Sequence, residues 1–250
     1  CNPLHGVQKI GSIGLPGTHP LHPGSFVQMR VCDEHGRELP DGTSYMVMPL
    51  VGLMTKDAQG RKIWQCPTLD SMCGRVPPEL AWRYIYEIAD ALAWAHKHGV
   101  AHGNLKCSNI LVTDDADSAT RVSDLGQGYV GGVHHMELRD HFMYLCPDQA
   151  MQPEGFFAGM GPGWDVYSFG VVAYRLLTGQ FPRGAQTWAQ ESAMKQQRMA
   201  QGLSYEVNSV ALLRSIQAQT AITWPSPAQT PWEERRRQII ERALDFNAGT

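Results

Sequence analysis

One stretch of the chain gathers polar side chains of complementary chemistry: His102-Gly-Asn-Leu-Lys-Cys-Ser-Asn109, followed fifteen residues after Asn109 by Asp124-Leu-Gly126. An Asn and an Asp at neighbouring strand ends offer two oxygen ligands to one Mg²⁺, a hard cation that fills the rest of its shell with water and phosphate oxygens. Lys106 adds a positive charge that can sit against a phosphate. Asn104 adds an amide whose oxygen can orient a hydroxyl but has no useful basicity. Taken singly, each piece reads better as an ordinary polar hairpin with an Asx turn.

Such residues need rigid support, and the flanking sequence supplies it. Pro77-Pro78-Glu79 opens a helix, because Pro fits the first turn and an acid suits the helix N-terminus. Ala81, Ile85, Ile88, Leu92 and Ala95 recur at helical spacing, and Gly99 supplies the stop. Asn109-Ile-Leu-Val112 and Arg121-Val-Ser123 read as two short strands around an Asp-rich turn. A second helix is expected from Asp165 to about Leu177, ending at Gly179; it is apolar nearly all round and so buried and central. Upstream, Phe26–Val31 and Ser44–Leu50 read as strands of a hairpin, and residues 52–76 as polar loop. Residues 184–250 read as helical and irregular, with Trp232–Ile240 leading into a last helix.

Composition narrows the class. Of the 250 residues, 43% are hydrophobic and 18% charged, which is ordinary for a folded domain. A net charge of −3 argues against nucleic acid or an anionic membrane surface as the main partner. No apolar run approaches the roughly eighteen residues of a membrane span. Six scattered cysteines without a Cys-x-x-Cys pair read as reduced thiols in a cytoplasmic protein. The histidine pairs His19/His22, His96/His98 and His134/His135 lack the company of a metal site and read as surface and loop residues. The chain starts on Cys1 rather than Met and reads as a piece of something longer.

The motifs in order resemble the catalytic core of protein kinases, whose His-Arg-Asp-Leu-Lys-x-x-Asn loop precedes an Asp-Phe-Gly triplet. Tyr144-Leu-Cys-Pro-Asp148 stands where that family has Tyr-x-Ala-Pro-Glu, and Asp165–Gly179 is close to its central helix. Tyr45-Met-Val-Met-Pro-Leu-Val51 is similar to the fifth strand and hinge, and Ile88–His96 with the following His-Gly-Asn is similar to bacterial Ser/Thr kinase-like proteins. The resemblance spans roughly residues 44–248. It implies an α+β, protein kinase-like fold: a partial β N-lobe remnant and hinge over residues 1–51, and a mainly α-helical C-lobe over 52–250, truncated before its last helix. It implies ATP and Mg²⁺ as cofactors. Met48 would be the gatekeeper, Pro49 and Val51 would bind adenine through carbonyl and amide, and Leu111 would lie under the ring. Leu111 reads equally well as a core strand residue. Asn109 and Asp124 would hold Mg²⁺, Asn104 and Lys106 would occupy the catalytic positions, and His102 would pack below Leu125. Asp165 would accept hydrogen bonds from catalytic-loop amides.

The departures are as informative as the matches. Asn104 replaces the family's catalytic Asp, a loss that costs about 10²–10⁴ in rate where general base matters. Gly103 replaces the Arg that would pair with an activation-loop phosphate, and between Gln127 and Cys146 there is no Ser or Thr to phosphorylate. His141 replaces a bridging Thr, Leu125 the Phe of the triplet, and Asp148 a Glu. Ahead of the hinge-like segment there is no Gly-x-Gly-x-x-Gly loop and no Val-Ala-Ile-Lys strand. The expectation is a kinase-like signalling domain with impaired catalysis (a pseudokinase) that binds ATP/Mg²⁺ or a partner protein; the alternative is an active Ser/Thr kinase acting on a protein substrate. A small-molecule kinase of the aminoglycoside or choline type shares a His-Gly-Asp loop, but the Tyr144–Asp148 and Asp165–Gly179 segments argue for the protein-kinase branch.

Overall fold

The computed structural model describes residues 7–13, 26–31, 44–47, 53–65, 67–113, 119–124, 140–152, 155 and 158–246. Three strands, β1 (Val7–Ile13), β2 (Phe26–Val31) and β3 (Ser44–Val47), form an antiparallel sheet in that order, with an irregularity between Lys9 and Gly11. The expected hairpin is therefore present as the β2–β3 pair, with β1 added at its other edge. Of the second expected strand, residues 48–50 lie outside the described residues.

The polar loop expected over 52–76 is corrected. It holds a second hairpin, β4 (Leu53–Lys56) with β5 (Lys62–Gln65), and a 3₁₀ turn at Leu69–Met72. Its turn is closed by Asp57, whose carboxylate accepts the Gln59 and Arg61 N–H groups at 2.9 Å each and the Arg61 guanidinium at 2.7 Å. Gly60 takes the left-handed conformation (φ 76°) that the reversal needs. Side chains in the hairpin alternate polar and apolar too weakly to announce strands.

Helix α1 (Pro78–Lys97) begins where its prolines place it and buries Ala81, Ile85, Ile88, Leu92 and Ala95 as one stripe. Next come a 3₁₀ turn (Cys107–Asn109) and the antiparallel pair β6 (Ile110–Val112) and β7 (Thr120–Val122). A 3₁₀ segment (Asp140–Tyr144) leads into the short α2 (Pro147–Met151). Helix α3 (Gly161–Thr178) starts four residues earlier than expected. Its added first turn holds Pro162, at a position where the missing N–H costs nothing. Gly179 ends it in the left-handed region. Three further helices follow: α4 (Ala185–Ala200), α5 (Ser209–Ala218) and α6 (Pro231–Ala243). Trp232–Ile240 is thus the body of the last described helix rather than its approach.

The core is continuous. Ile85, Ile88 and Leu92 of α1, Leu105 and Ile110, Val171, Val172 and Leu176 of α3, and Ile240 and Leu244 at α6 are all buried together. Gly170 lets α3 approach the end of α6, since a Cβ there would meet Leu244 Cγ at 2.9 Å. Arg236 of α6 lies 4.7 Å over the Trp82 ring of α1, a contact that helps dock the two helices, and 5.0 Å over the exposed Trp232 ring of its own helix.

Candidate active site

Asp165 organises the site. Its side chain is buried at the first turns of α3, where an unpaired carboxylate would be very costly. The His102 N–H donates to one carboxylate oxygen at 2.6 Å and the Gly103 N–H to the other at 2.8 Å. His96, from the end of α1, brings Nε2 to 2.8 Å from the first oxygen. The role expected of Asp165 toward the loop amides is the one observed. The His96 contribution was missed in the sequence, because nothing local distinguishes His96 from a surface histidine at a helix end.

The loop that Asp165 holds is bent sharply. Gly103 takes φ 70°, and its carbonyl accepts the Gln149 side-chain N–H at 2.9 Å from α2. Gln149 too was missed; its only sequence signal is its place one residue past the Tyr144–Asp148 motif. His102 is fully buried, and its Nδ1 accepts the Asn104 N–H at 3.3 Å. Burial holds its pKa below the ordinary 6.5, against the opposing pull of the Asp165 carboxylate. The imidazole is therefore neutral, with the proton on Nε2. Leu125, expected above it, lies outside the described residues.

Asn104 is buried, and its backbone carbonyl accepts the Asn109 side-chain N–H at 2.9 Å. With its nitrogen committed there, Asn109 has its amide oxygen left for a ligand. The Asn109 carbonyl in turn accepts the Ser123 N–H at 2.8 Å and the Ser123 hydroxyl at 3.0 Å. The β6–β7 register, Ile110 opposite Val122, thus brings Asp124 to within one residue of the Asn109 backbone. Asp124 has φ 61°, the one non-glycine positive φ among the described residues, and its side chain is half-exposed. A strained backbone at a carboxylate persists where the surroundings fix it, and such strain collects at functional sites. Two oxygen donors held on neighbouring strand ends, one anionic and one neutral, fit a hard divalent cation. Among the described residues no three His, Cys, Asp or Glu side chains gather as a metal cluster.

The remaining expectations divide. Lys106 is half-exposed, in extended backbone just before the 3₁₀ turn. Leu111 is half-buried on β6 and bridges to Thr68. Met48, Pro49 and Val51 lie outside the described residues, as does Gly126; nothing is described of the His141 side chain. His98 is held by the Trp94 carbonyl at 2.7 Å and stacks on the Trp94 ring, as an ordinary helix-end residue does.

A buried Asp thus grips the backbone of a polar loop that runs on into a hairpin carrying an Asn/Asp pair at its strand ends. Residues 52–248 match the family model of the protein kinase domain, and the chain belongs to that family. Its fold is accordingly α+β and kinase-like, with a mainly helical C-lobe. The chain is 35% identical over 108 residues to a probable serine/threonine-protein kinase of Clostridium acetobutylicum, covering 42% of this chain and 15% of the relative. It is 34% identical over 110 residues to serine/threonine-protein kinase PknL of Mycobacterium tuberculosis (44% and 27%). It is 33% identical over 135 residues to U-box domain-containing protein 70 of Oryza sativa subsp. japonica (50% and 16%). These matches span from 15% to 27% of the relatives' own length.

Proposed function

We propose that this chain is a kinase-like signalling domain with impaired phosphotransfer, which acts by binding Mg²⁺·ATP or a partner protein. The observation that carries the reading is Asn104: a neutral amide stands, buried and on an ordered loop, at the position of the family's catalytic carboxylate. It can orient a substrate hydroxyl but cannot take its proton. In this reading Asn109 and Asp124 hold Mg²⁺, Lys106 faces the phosphate, and Leu111 packs under adenine beside Met48, Pro49 and Val51. The bound metal supplies charge neutralisation of the transferring phosphoryl group. Among the described residues no helix is long and apolar enough to cross a membrane, and a cytoplasmic setting goes with this reading.

An active Ser/Thr protein kinase is the second reading, favoured by the retention of Lys106, Asn109 and Asp124. The loose phosphoryl-transfer transition state makes positioning and metal charge count for more than the base. Asn104→Asp separates the two. On a handicapped but competent site it raises phosphorylation of a generic protein substrate by about tenfold or more, the scale of a general-base contribution. No gain in a protein that binds ATP supports a pure binding domain. Robust turnover by the unaltered protein, abolished by Asp124→Ala, overturns the impaired reading.

A further inference from the structure

Two cysteines far apart in sequence meet at the edge of the catalytic loop. Cys107 is fully buried in the 3₁₀ turn between Lys106 and Asn109; Cys73 is half-exposed at the end of the turn Leu69–Met72. Their sulfurs are 3.5 Å apart, and both are free thiols. The segments carrying them are stitched together independently of the sulfurs. The Val112 N–H donates to the Pro67 carbonyl at 2.8 Å, and Thr68 bridges to Leu111. Next to Cys73, the Gly74 N–H donates to the Leu176 carbonyl at 2.9 Å. Gly74 is left-handed (φ 68°), and a Cβ there would lie 2.8 Å from the Gly179 Cα, so the chain at Cys73 is pressed onto the end of α3.

The surroundings suit an anionic sulfur. Arg175 of α3 pairs with Asp70 at 3.0 Å, donates to the Tyr144 hydroxyl and lies 4.4 Å over the Phe181 ring. Its Nε is buried with no hydrogen-bond partner among the described residues. The Cys73 thiol is held below its ordinary pKa, chiefly by its hydrogen bond with Cys107 and further by the Arg175 charge, against the opposing effects of burial and the Asp70 carboxylate. A partly open thiol that shares a hydrogen bond with a second thiol beside a guanidinium is placed to react with oxidants.

We infer that Cys73 and Cys107 form a peroxide-responsive dithiol that closes to a disulfide at the catalytic loop. The Cys73 thiolate attacks one peroxide oxygen; a sulfur–oxygen bond forms, the oxygen–oxygen bond breaks, and hydroxide leaves and takes up the proton that the Cys73 thiol released, becoming water and giving Cys73 sulfenic acid. The Cys107 sulfur then attacks Cys73; the sulfur–sulfur bond forms, the sulfur–oxygen bond breaks, and the second hydroxide leaves with the Cys107 proton as water. Two thiols and one peroxide thus become one disulfide and two waters, the sulfur pair losing two electrons and the peroxide gaining them. Closing from 3.5 Å to about 2.05 Å is the scale of a side-chain rotation, provided the backbones stay where their own hydrogen bonds hold them. The bond would tie the turn bearing Asn109 to the segment ahead of α1. The dithiol does not depend on whether the site transfers phosphate.

The test is to treat the native protein with hydrogen peroxide, alkylate the remaining thiols after denaturation, digest it and map the cysteines by mass. The expected result is a peptide containing Cys73 linked to one containing Cys107, dissolved by dithiothreitol, with both thiols disappearing together. Cys73→Ser, at the more exposed position, removes the link and leaves Cys107 alkylatable. Cys73 found as sulfenic or sulfinic acid with Cys107 still alkylatable overturns the inference. So does a link that forms only when peroxide is added after unfolding, or one that persists in Cys73→Ser through another cysteine.

Discussion

His102 and Gly103 show how much of the site is set by single residues. Because the folded pKa of His102 lies below its ordinary 6.5, the unfolded chain binds the extra proton as pH falls through 6.5. Stability is full above that pH and declines below it until the folded value is reached, by at most about 1.4 kcal/mol per pH unit. Melting temperatures recorded from pH 7.5 to 5 should fall on the acid side, and less steeply in His102→Gln whatever its absolute stability. Gly103 is a backbone requirement: at φ 70° any Cβ is strained, so Gly103→Ala should cost about 1–2 kcal/mol in denaturant unfolding. Restoring the family's Arg at this position would meet the same strain. The motif residues were legible in sequence because their types and order are restrictive. His96 and Gln149 were not, since each acts through a contact with a residue distant in the chain, at Asp165 and Gly103 respectively.

Among the elements, a sharp period and a hard stop made α1 legible throughout and α3 legible at its C-terminal end. Helix α1 has its prolines, its apolar stripe and Gly99 at φ 74°; α3 has Gly179 at φ 75°. The β4–β5 hairpin escaped because its identity rests on the Asp57 turn rather than on alternation. Helix α4 is mostly polar; its one fully buried side chain is Glu191, which accepts the Tyr205 hydroxyl at 2.8 Å and the Asn208 N–H at 2.9 Å. A buried carboxylate reads in sequence as a surface position, so the helix gave only a vague helical signal. The α3–α6 contact is a close approach allowed by Gly170. Replacing this glycine by Ala sets a helix-propensity gain of about 0.8–1 kcal/mol against the clash with Leu244. Gly170→Val adds further bulk and a weaker helix former, so the clash should win. A loss of about 1–3 kcal/mol is expected, read as a lower denaturation midpoint with an unchanged slope.

At the scale of the whole molecule, the family match over 52–248 covers the elements that hold the loop, whereas Met48, Pro49 and Val51, proposed to bind adenine, fall just before it. Nucleotide binding is therefore the property to measure on the protein as it stands. If Asn109 and Asp124 hold Mg²⁺ for ATP, adding both together at about 100 times the dissociation constant should stabilise the fold by about 2.7 kcal/mol. Asp124→Ala should erase the resulting rise in melting temperature. A rise that survives that substitution would place the nucleotide elsewhere, and no rise with either protein would favour a domain that works through partners alone.

The grip of Asp165 on the His102 and Gly103 amides also has a kinetic side. These hydrogen bonds join residues 63 and 62 positions apart, across the contact between α1 and α3. Neither amide can be satisfied while the two helices are separated, so local structure alone cannot assemble the loop during folding. Once formed, the two amides share the fate of that helix pair and exchange hydrogen with solvent only when the pair opens. The loop is short and irregular, yet its amides should exchange with the buried helix pair rather than with the fraying surface, which hydrogen exchange read by mass checks.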